Sequence, residues 1–183
     1  MNKNRALLLD RDGVINADAG YIGSMERFSF LPGVFPFLRA ARDLGYRLAI
    51  ATNQAGVARG LYSADDYRHL TRYMLRELKR ESIDIDLVLA CFEHDKGVDP
   101  VFTRQSFWRK PQPGMVLEAI RRLDLDPLRS AFLGDALTDM RAAQDGGLRL
   151  CLWLTEEKVE APAGIDVVRN YDEALEFLRV PFA

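Results

Sequence analysis

Two carboxylates with one residue between them follow the first apolar run of the sequence. The run is Ala6–Leu9, and Asp10 and Asp12 come directly after it. Residues i and i+2 of an extended chain face the same way, so the two carboxylates should lie side by side. One carboxylate can attack phosphorus to give an aspartyl-phosphate, while the other protonates the leaving alkoxide and later activates water. A lone Asp-x-Asp-Gly is more often a simple turn, so this interpretation depends on further residues.

Further polar residues stand beside later apolar runs and could join the acid pair. They are Thr52, Asn53 and Gln54 after the second run, Asp135 and Asp139 after the fourth, and Arg109 with Lys110 ahead of a helix. Three nearby carboxylates repel one another unless a cation is present. Mg²⁺ takes one or two carboxylates, keeps waters and accepts a phosphate oxygen. Lys110 and Thr52 then suit the remaining phosphate oxygens, so the combination indicates phosphoryl transfer.

The elements that would position these residues alternate along the chain. Strands are expected at 6–9, 46–52, 86–92, 130–134 and 148–154, and helices at 34–45, 63–81, from Pro113 onward, and at 139–147 and 172–178. Ser63 can cap the second helix, and Val116, Leu117, Ile120 and Leu123 would form the apolar face of the third. The alternation predicts an α/β fold, a Rossmann-like three-layer arrangement with a mostly parallel sheet. Ligands of such sheets bind at the carboxyl ends of the strands.

Length and composition limit the remaining possibilities. With 183 residues, 48% hydrophobic and 28% charged, the chain should form one domain, 1–183. The intervals from Asp12 to Thr52 and from Thr52 to Lys110 leave no room for a large cap domain, so loops 17–29, 53–61 and 93–112 should shape the pocket. A net charge of -2 and the lack of an 18-residue apolar run argue against nucleic-acid and membrane partners. Two cysteines and no secretory signal favour the cytoplasm, and we expect a monomer.

Four segments of the chain resemble the motifs of one enzyme superfamily. "DRDGVIN", "TNQ", "RKP" and "GDALTD" are similar, in order, to the four motifs of the haloacid dehalogenase superfamily of phosphatases. The resemblance implies that Asp10 is the nucleophile and Asp12 the general acid–base, with Thr52 and Lys110 binding the transferring phosphoryl group. It also implies that Mg²⁺ is held by Asp10, the Asp12 carbonyl and Asp135. Sheets of this superfamily suggest the strand order 5-4-1-2-3, counted along the chain.

Longer segments narrow the resemblance to one subfamily. "GYIGSMERFSFLPGV", "TNQAGVARG" and "RKPQPGM" look like the heptose bisphosphate phosphatases, which remove the phosphate at carbon 7 of a glycero-manno-heptose 1,7-bisphosphate on the way to nucleotide-activated heptose. The resemblance implies a small phosphorylated sugar as substrate and a pocket lined by Asp18, Ala19, Gly20, Tyr21, Asn53, Gln54, Ala55, Arg109 and Ala136. Arg109 would hold the phosphate that is not cleaved, because its planar fork suits bidentate binding. For Arg59, a place near the cleft and a solvated charge are equally good interpretations.

The sequence departs from that subfamily in one loop. Many relatives carry a zinc-binding loop, whose ligand positions correspond here to Cys91, Glu93, Ser106 and Trp108. Only the cysteine is kept, and His94 could add at most a second ligand, whereas structural zinc takes four nitrogen or sulfur ligands. We therefore expect no structural zinc. Cys91 should then be a small core residue, with Phe107 and Trp108 packing the loop instead.

Other activities remain open on these residues. The same chemistry could serve histidinol phosphate or another small phosphoester. A phosphate-accepting receiver module also uses paired acids, Mg²⁺, a threonine and a lysine, but its acceptor aspartate follows the third strand. Here no aspartate lies between the third predicted strand and Glu93. A non-catalytic sugar-phosphate binder would have little use for the full set of acids.

Overall fold

A six-stranded parallel sheet forms the centre of the molecule in the computed structural model, which describes residues 3–180. The strands are β1 (Ala6–Leu9), β2 (Arg47–Asn53), β3 (Leu87–Cys91), β4 (Ala131–Gly134), β5 (Leu150–Leu154) and β6 (Asp166–Val168). Their order is β3-β2-β1-β4-β5-β6. The predicted order of the first five strands is confirmed, and β6, which the sequence pattern missed, extends the sheet beyond β5.

Five α-helices cover both faces of the sheet. They are α1 (Val34–Asp43), α2 (Ala64–Arg80), α3 (Gly114–Leu123), α4 (Leu137–Asp145) and α5 (Tyr171–Arg179). Leu7 and Leu9 of β1 pack into a core with α1, α2 and α5, whereas Leu8 packs into a second core with α3 and α4. All four residues of β1 are buried, as expected for a parallel strand covered on both faces. The predicted three-layer α/β fold is therefore confirmed.

The sequence predicted the start of α2 correctly, but not the whole buried face of α3. Ser63 caps α2 as predicted: its hydroxyl accepts a hydrogen bond from the Asp66 amide at 3.0 Å, and the Asp66 carboxylate accepts one from the Ser63 amide at 2.8 Å. In α3 the predicted apolar face is wrong at Leu117, which is exposed. The buried face runs instead through Met115 and Ala119, one helical turn apart, because this row of the helix contacts the sheet and α4.

The longest helix, α2, buries one face and exposes the other to solvent. α2 has 17 residues, and its buried positions, Tyr67, Leu70, Met74 and Leu78, fall on one stripe. None of the helices within residues 3–180 has the length and apolar character needed to cross a membrane.

Candidate active site

The carboxyl ends of the central strands bring the predicted polar residues to one edge of the sheet. Asp10 follows β1, Thr52 and Asn53 end β2, and Asp135 follows β4. Parallel strands end at the same edge, which is why residues distant in sequence meet here. Lys110 joins them from the loop before α3, where its main chain is fixed by Asn53: the Asn53 amide donates to the Lys110 carbonyl at 3.0 Å, and the Lys110 amide donates back to Asn53 Oδ1 at 3.1 Å.

Three aspartates at this edge form an acidic cluster, Asp10, Asp135 and Asp139. Each offers a carboxylate oxygen, and these oxygens lie within 4.8 Å of one another. Asp139 reaches the cluster from the first turn of α4, where its Oδ2 also accepts a hydrogen bond from the Ala136 amide at 3.1 Å. Gly13 makes room for the cluster, because a Cβ on this residue would lie 1.9 Å from Asp135 Oδ2. Asp139 was noted in the sequence without an assigned role, so its membership comes from the structure.

A buried ammonium group, that of Lys110, faces this acidic cluster. Lys110 Nζ lies 2.9 Å from Asp10 Oδ2 and 2.7 Å from Asp139 Oδ1, and it donates a hydrogen bond to the Ala51 carbonyl at 2.8 Å. Burial disfavours the charged amine, but the two facing carboxylates outweigh it and raise the pKa of Lys110. The lysine is therefore a fixed cation beside Asp10.

The acidic cluster carries more negative charge than Lys110 balances. Burial raises the pKa of Asp10 to about 6, with the Asp139 charge adding to the rise and Lys110 opposing it. Burial and the charges of Asp10 and Asp139 raise the pKa of Asp135 to about 7. Crowded, buried carboxylates raise one another's pKa because each negative charge opposes the ionisation of the next, and a bound cation relieves this repulsion. Closely spaced, buried oxygen ligands are the donor set that Mg²⁺ prefers, so these residues fit that ion.

Asp12 occupies a separate environment from the acidic cluster. The Arg11 guanidinium donates to both of its carboxylate oxygens at 2.9 Å, and the Asn16 side-chain amide donates to Oδ1, also at 2.9 Å. The Gln54 amide donates to Oδ2 at 2.9 Å and also to Thr52 Oγ1 at 2.9 Å. These donors fix the orientation of the Asp12 carboxylate beside, but outside, the acidic cluster.

Several residues that surround the Asp12 carboxylate could not be assigned to the site from the sequence. Arg11 is 1% exposed although it stands between two aspartates, where a solvated turn would be ordinary. Tyr62 donates its hydroxyl proton to Gln54 Oε1 at 2.7 Å and so fixes the amide that holds Asp12. Gln54 was predicted to bind substrate, but its side chain is buried beneath the surface. Such long-range partners become visible only when the loops are folded.

The two environments open into a cleft of about 410 Å³. Predicted residues that line it are Asp10, Asp12, Asp18, Gly20, Tyr21, Asn53, Ala55, Arg109, Asp135 and Ala136. Predicted residues that do not line it are Ala19, Thr52, Gln54 and Lys110. The cleft is also lined by residues to which the sequence assigns no definite role: Arg59, Tyr62, His94, Thr138 and Asp139.

Tyr21 has a φ of 47°, a left-handed conformation that a bulky residue rarely adopts, and it turns loop 17–29 at the cleft.

The loop after β3 is held together by polar and aromatic contacts. Cys91 is buried, and its thiol donates to Glu93 Oε2 at 3.3 Å, while Glu93 Oε1 accepts from Arg104 at 2.9 Å. Burial raises the pKa of Cys91 to about 11, as for a core residue. Phe92 packs edge-on against Phe102, with ring centroids 5.7 Å apart. The expectation that Phe107 and Trp108 pack the loop is wrong, because the two side chains are 57% and 38% exposed.

Comparisons with known proteins agree with this architecture. A family model for haloacid dehalogenase-like hydrolases matches residues 3–147. The D-glycero-alpha-D-manno-heptose-1,7-bisphosphate 7-phosphatase of Burkholderia mallei is 41% identical over 98% of this chain and 96% of its own length. The D-glycero-beta-D-manno-heptose-1,7-bisphosphate 7-phosphatase of Haemophilus influenzae is 39% identical over 76% and 75%, respectively.

A solved structure gives the same result for the fold. The D,D-heptose 1,7-bisphosphate phosphatase from B. bronchiseptica, complexed with magnesium and phosphate, superposes with a TM-score of 0.82 at 28% identity, covering 95% of this chain and 97% of that one. The family model covers well over half of the chain, and the relatives match most of it. The chain belongs to the haloacid dehalogenase-like hydrolase family.

Proposed function

We propose that this chain is a Mg²⁺-dependent phosphatase that removes the C7 phosphate of a D-glycero-D-manno-heptose 1,7-bisphosphate, in the biosynthesis of nucleotide-activated heptose. The observation that carries the proposal is the pair Asp10 and Asp12 in two different environments at one cleft. Asp10 lies against a lysine ammonium and two further carboxylates. Asp12 is oriented by a guanidinium and two side-chain amides. The names of the relatives support the substrate.

The two aspartates would divide the reaction between them. Asp10 attacks phosphorus, the bond from phosphorus to the sugar oxygen breaks, and Asp12 gives its proton to that oxygen. Water then attacks the phosphorus of the aspartyl-phosphate, the bond from phosphorus to the Asp10 oxygen breaks, and Asp12 takes the proton of this water. Inorganic phosphate leaves, and both carboxyl groups are restored. Lys110 and Thr52 would bind oxygens of the transferring phosphoryl group, Lys110 with the charge that it already presents beside Asp10.

The metal would sit among the carboxylates of the acidic cluster. Asp10, the Asp12 carbonyl and Asp135 are the proposed ligands, and Asp139 stands next to them. When bound, Mg²⁺ neutralises charge on the phosphate oxygens and on the carboxylates around it. The excess of negative charge in this part of the protein supports a cation there.

The remaining parts of the proposal concern substrate and setting. Asp18, Ala19, Gly20, Tyr21, Asn53, Gln54, Ala55, Arg109 and Ala136 would form the pocket for the small phosphorylated sugar. We further propose a cytoplasmic monomer of one domain, 1–183, without structural zinc and without nucleic-acid or membrane partners. The net charge of -2 supports the proposal that the chain has no nucleic-acid or membrane partners. The two buried free cysteines support a cytoplasmic location.

The decisive experiment measures phosphate release from both anomers of the bisphosphate by the purified chain with Mg²⁺. Asp10→Asn should lower kcat by at least about a thousandfold while the circular dichroism spectrum stays unchanged, since the nucleophile is lost and the shape is kept. Asp43→Asn, an exposed position at the end of α1, is the matched control and should keep full activity. Substantial turnover by Asp10→Asn would remove Asp10 as nucleophile. Faster turnover of histidinol phosphate than of either anomer would replace the proposed substrate.

A further inference from the structure

Three basic side chains that line the cleft form a basic cluster, Arg59, His94 and Arg109. Within residues 3–180, no carboxylate oxygen lies within 4.0 Å of the Arg59 or Arg109 guanidinium. Arg59 Nε is buried and has no hydrogen-bond partner among the described residues. The Arg59 guanidinium lies 5.4 Å from the centre of the Tyr21 ring, which fixes its plane but uses none of its donors. This guanidinium lines the cleft with donors that no side-chain carboxylate of the described residues occupies, so it is available to bind an anion there.

His94 adds a second donor beside Arg59. The backbone amide of Lys96 donates to His94 Nδ1 at 2.9 Å, so the ring proton lies on Nε2. Nε2 in turn lies 3.3 Å from Arg59 Nη2, which is also a donor. The Asp95 carboxylate lies 3.1 Å from Nδ1 and is 56% exposed. With the ring proton on Nε2, two donors face each other, and the structure places no acceptor between them within residues 3–180.

The two loops that carry these residues are joined through one carbonyl group. The Ala58 carbonyl accepts hydrogen bonds from the amides of Val98 at 2.7 Å and Asp99 at 3.0 Å. Arg59 follows this carbonyl directly, and His94 lies four residues before Val98. The spacing of the donor pair is therefore set by main-chain contacts and exists before any ligand arrives. Donors preorganised in this way bind an oxyanion without the cost of ordering them.

We propose that Arg59 and His94 are specificity-determining residues that share an oxygen of the phosphate that is not cleaved. This inference rests on the proposed function and deepens it, because Arg109 alone was expected to hold that phosphate. A phosphate offers several oxygens and the negative charge that two guanidinium groups require, whereas a sugar hydroxyl offers only a neutral acceptor. The three members of the basic cluster would contact it together.

The test compares two substrates that differ only in the second phosphate, the heptose 1,7-bisphosphate and the heptose 7-phosphate. Arg59→Gln and His94→Gln should each lower kcat/KM for the bisphosphate by at least about tenfold, mainly through KM, and change the 7-phosphate by less than about twofold. Arg72→Gln and His69→Gln, both exposed on α2, are the matched controls and should leave both values unchanged. An equal decrease in kcat/KM for the bisphosphate and for the 7-phosphate would overturn the inference.

A binding measurement separates this inference from the proposed function. If the unmodified chain hydrolyses neither heptose phosphate, the proposed function fails, and the donor pair is judged by titration calorimetry with inorganic phosphate. Weaker phosphate binding by Arg59→Gln and His94→Gln, by at least about threefold relative to Arg72→Gln and His69→Gln, would support an oxyanion site. Unchanged affinity in both variants would overturn it.

Discussion

Asp10 and Asp12 show how one intervening residue gives two carboxylates different surroundings. The amide of Arg11 donates to Asp10 Oδ1 at 2.7 Å, while its guanidinium turns back to Asp12 and also donates to the Ile22 carbonyl at 3.0 Å. The i, i+2 spacing predicts that both carboxylates reach the same cleft, and both line it. The role of Arg11 could not be predicted, because its partner Ile22 lies on a loop whose path depends on the folded chain.

At the residue scale we predict that Gly13→Ala removes activity. Its φ of 76° costs about 1 kcal/mol with a Cβ, and that Cβ would lie 1.9 Å from Asp135 Oδ2, so Asp135 must leave the acidic cluster. We expect kcat to fall at least about a hundredfold in phosphate-release assays. Gly147→Ala is the matched control, with a φ of 78° and open space around it, and should lose only stability. An active Gly13→Ala variant would show that the position of Asp135 is unimportant.

The elements were largely predictable from sequence, and the failures have physical causes. Five strands appear as apolar runs because parallel strands covered on both faces are largely buried, and in β1 and β4 every residue is buried. Strand β6 has three residues, of which only Val168 is buried, so no run marks it. In α3, Leu117 was placed on the wrong face because several neighbouring positions are apolar, and only the contact with α4 selects the row through Met115.

At the element scale we predict that Gly97→Ala weakens binding of the bisphosphate. A Cβ on Gly97 would lie 2.8 Å from the Ala58 carbonyl oxygen and 2.5 Å from Thr103 Oγ1. The hydroxyl can rotate away, but the carbonyl is backbone, so the loop after β3 must move away from Ala58. We expect KM for the bisphosphate to rise several-fold. Val101→Ala, exposed in the same loop, should leave KM unchanged, and an unchanged KM in Gly97→Ala would contradict the role of this contact.

At the scale of the whole molecule, the acidic cluster is a concentration of largely buried negative charge at one edge of the sheet. Some acids near the surface pair with neighbouring bases, such as Glu118 with Arg121 at 2.7 Å, and such pairs contribute little to stability. The acidic cluster is different, because its carboxylates are largely buried and Lys110 is the one lysine within residues 3–180 that pairs with them. The sequence predicted that Asp10 and Asp135 approach each other, but the ion pair from Lys110 to Asp139 joins residues 29 positions apart and required the fold.

At the scale of the whole molecule we predict a pH-dependent stability of the metal-free protein. The folded pKa of Asp135, about 7, exceeds its unfolded value, so the folded state binds more protons and the free energy of unfolding falls as pH rises from about 4 to 7. In Asp135→Asn the side chain at this position does not ionise, so this decrease in the free energy of unfolding is absent. Between pH 5 and pH 8 the free energy of unfolding of the wild type should therefore fall by on the order of 2 kcal/mol relative to that of the variant, which corresponds to several degrees in Tm.

Thermal unfolding followed by circular dichroism checks this prediction, with and without Mg²⁺. At pH 8, Mg²⁺ should raise the Tm of the wild type and not that of Asp135→Asn, since the ion replaces the lost protons. Asp43→Asn should behave like the wild type throughout. A difference in Tm between wild type and Asp135→Asn that stays constant from pH 5 to pH 8 would contradict a raised pKa at Asp135.

The double hydrogen bond on the Ala58 carbonyl has a consequence for how such an enzyme could acquire a new substrate. The acids stand on strand ends, so mutations in the loops can alter recognition and leave the chemical step intact. Yet the loops after β2 and β3 meet at this carbonyl through main-chain hydrogen bonds, so the path of one loop depends on the path of the other. A loop with a different backbone path transplanted at 93–108 alone would break these hydrogen bonds, whereas exchanging 54–62 together with 93–108 would keep the two loops matched.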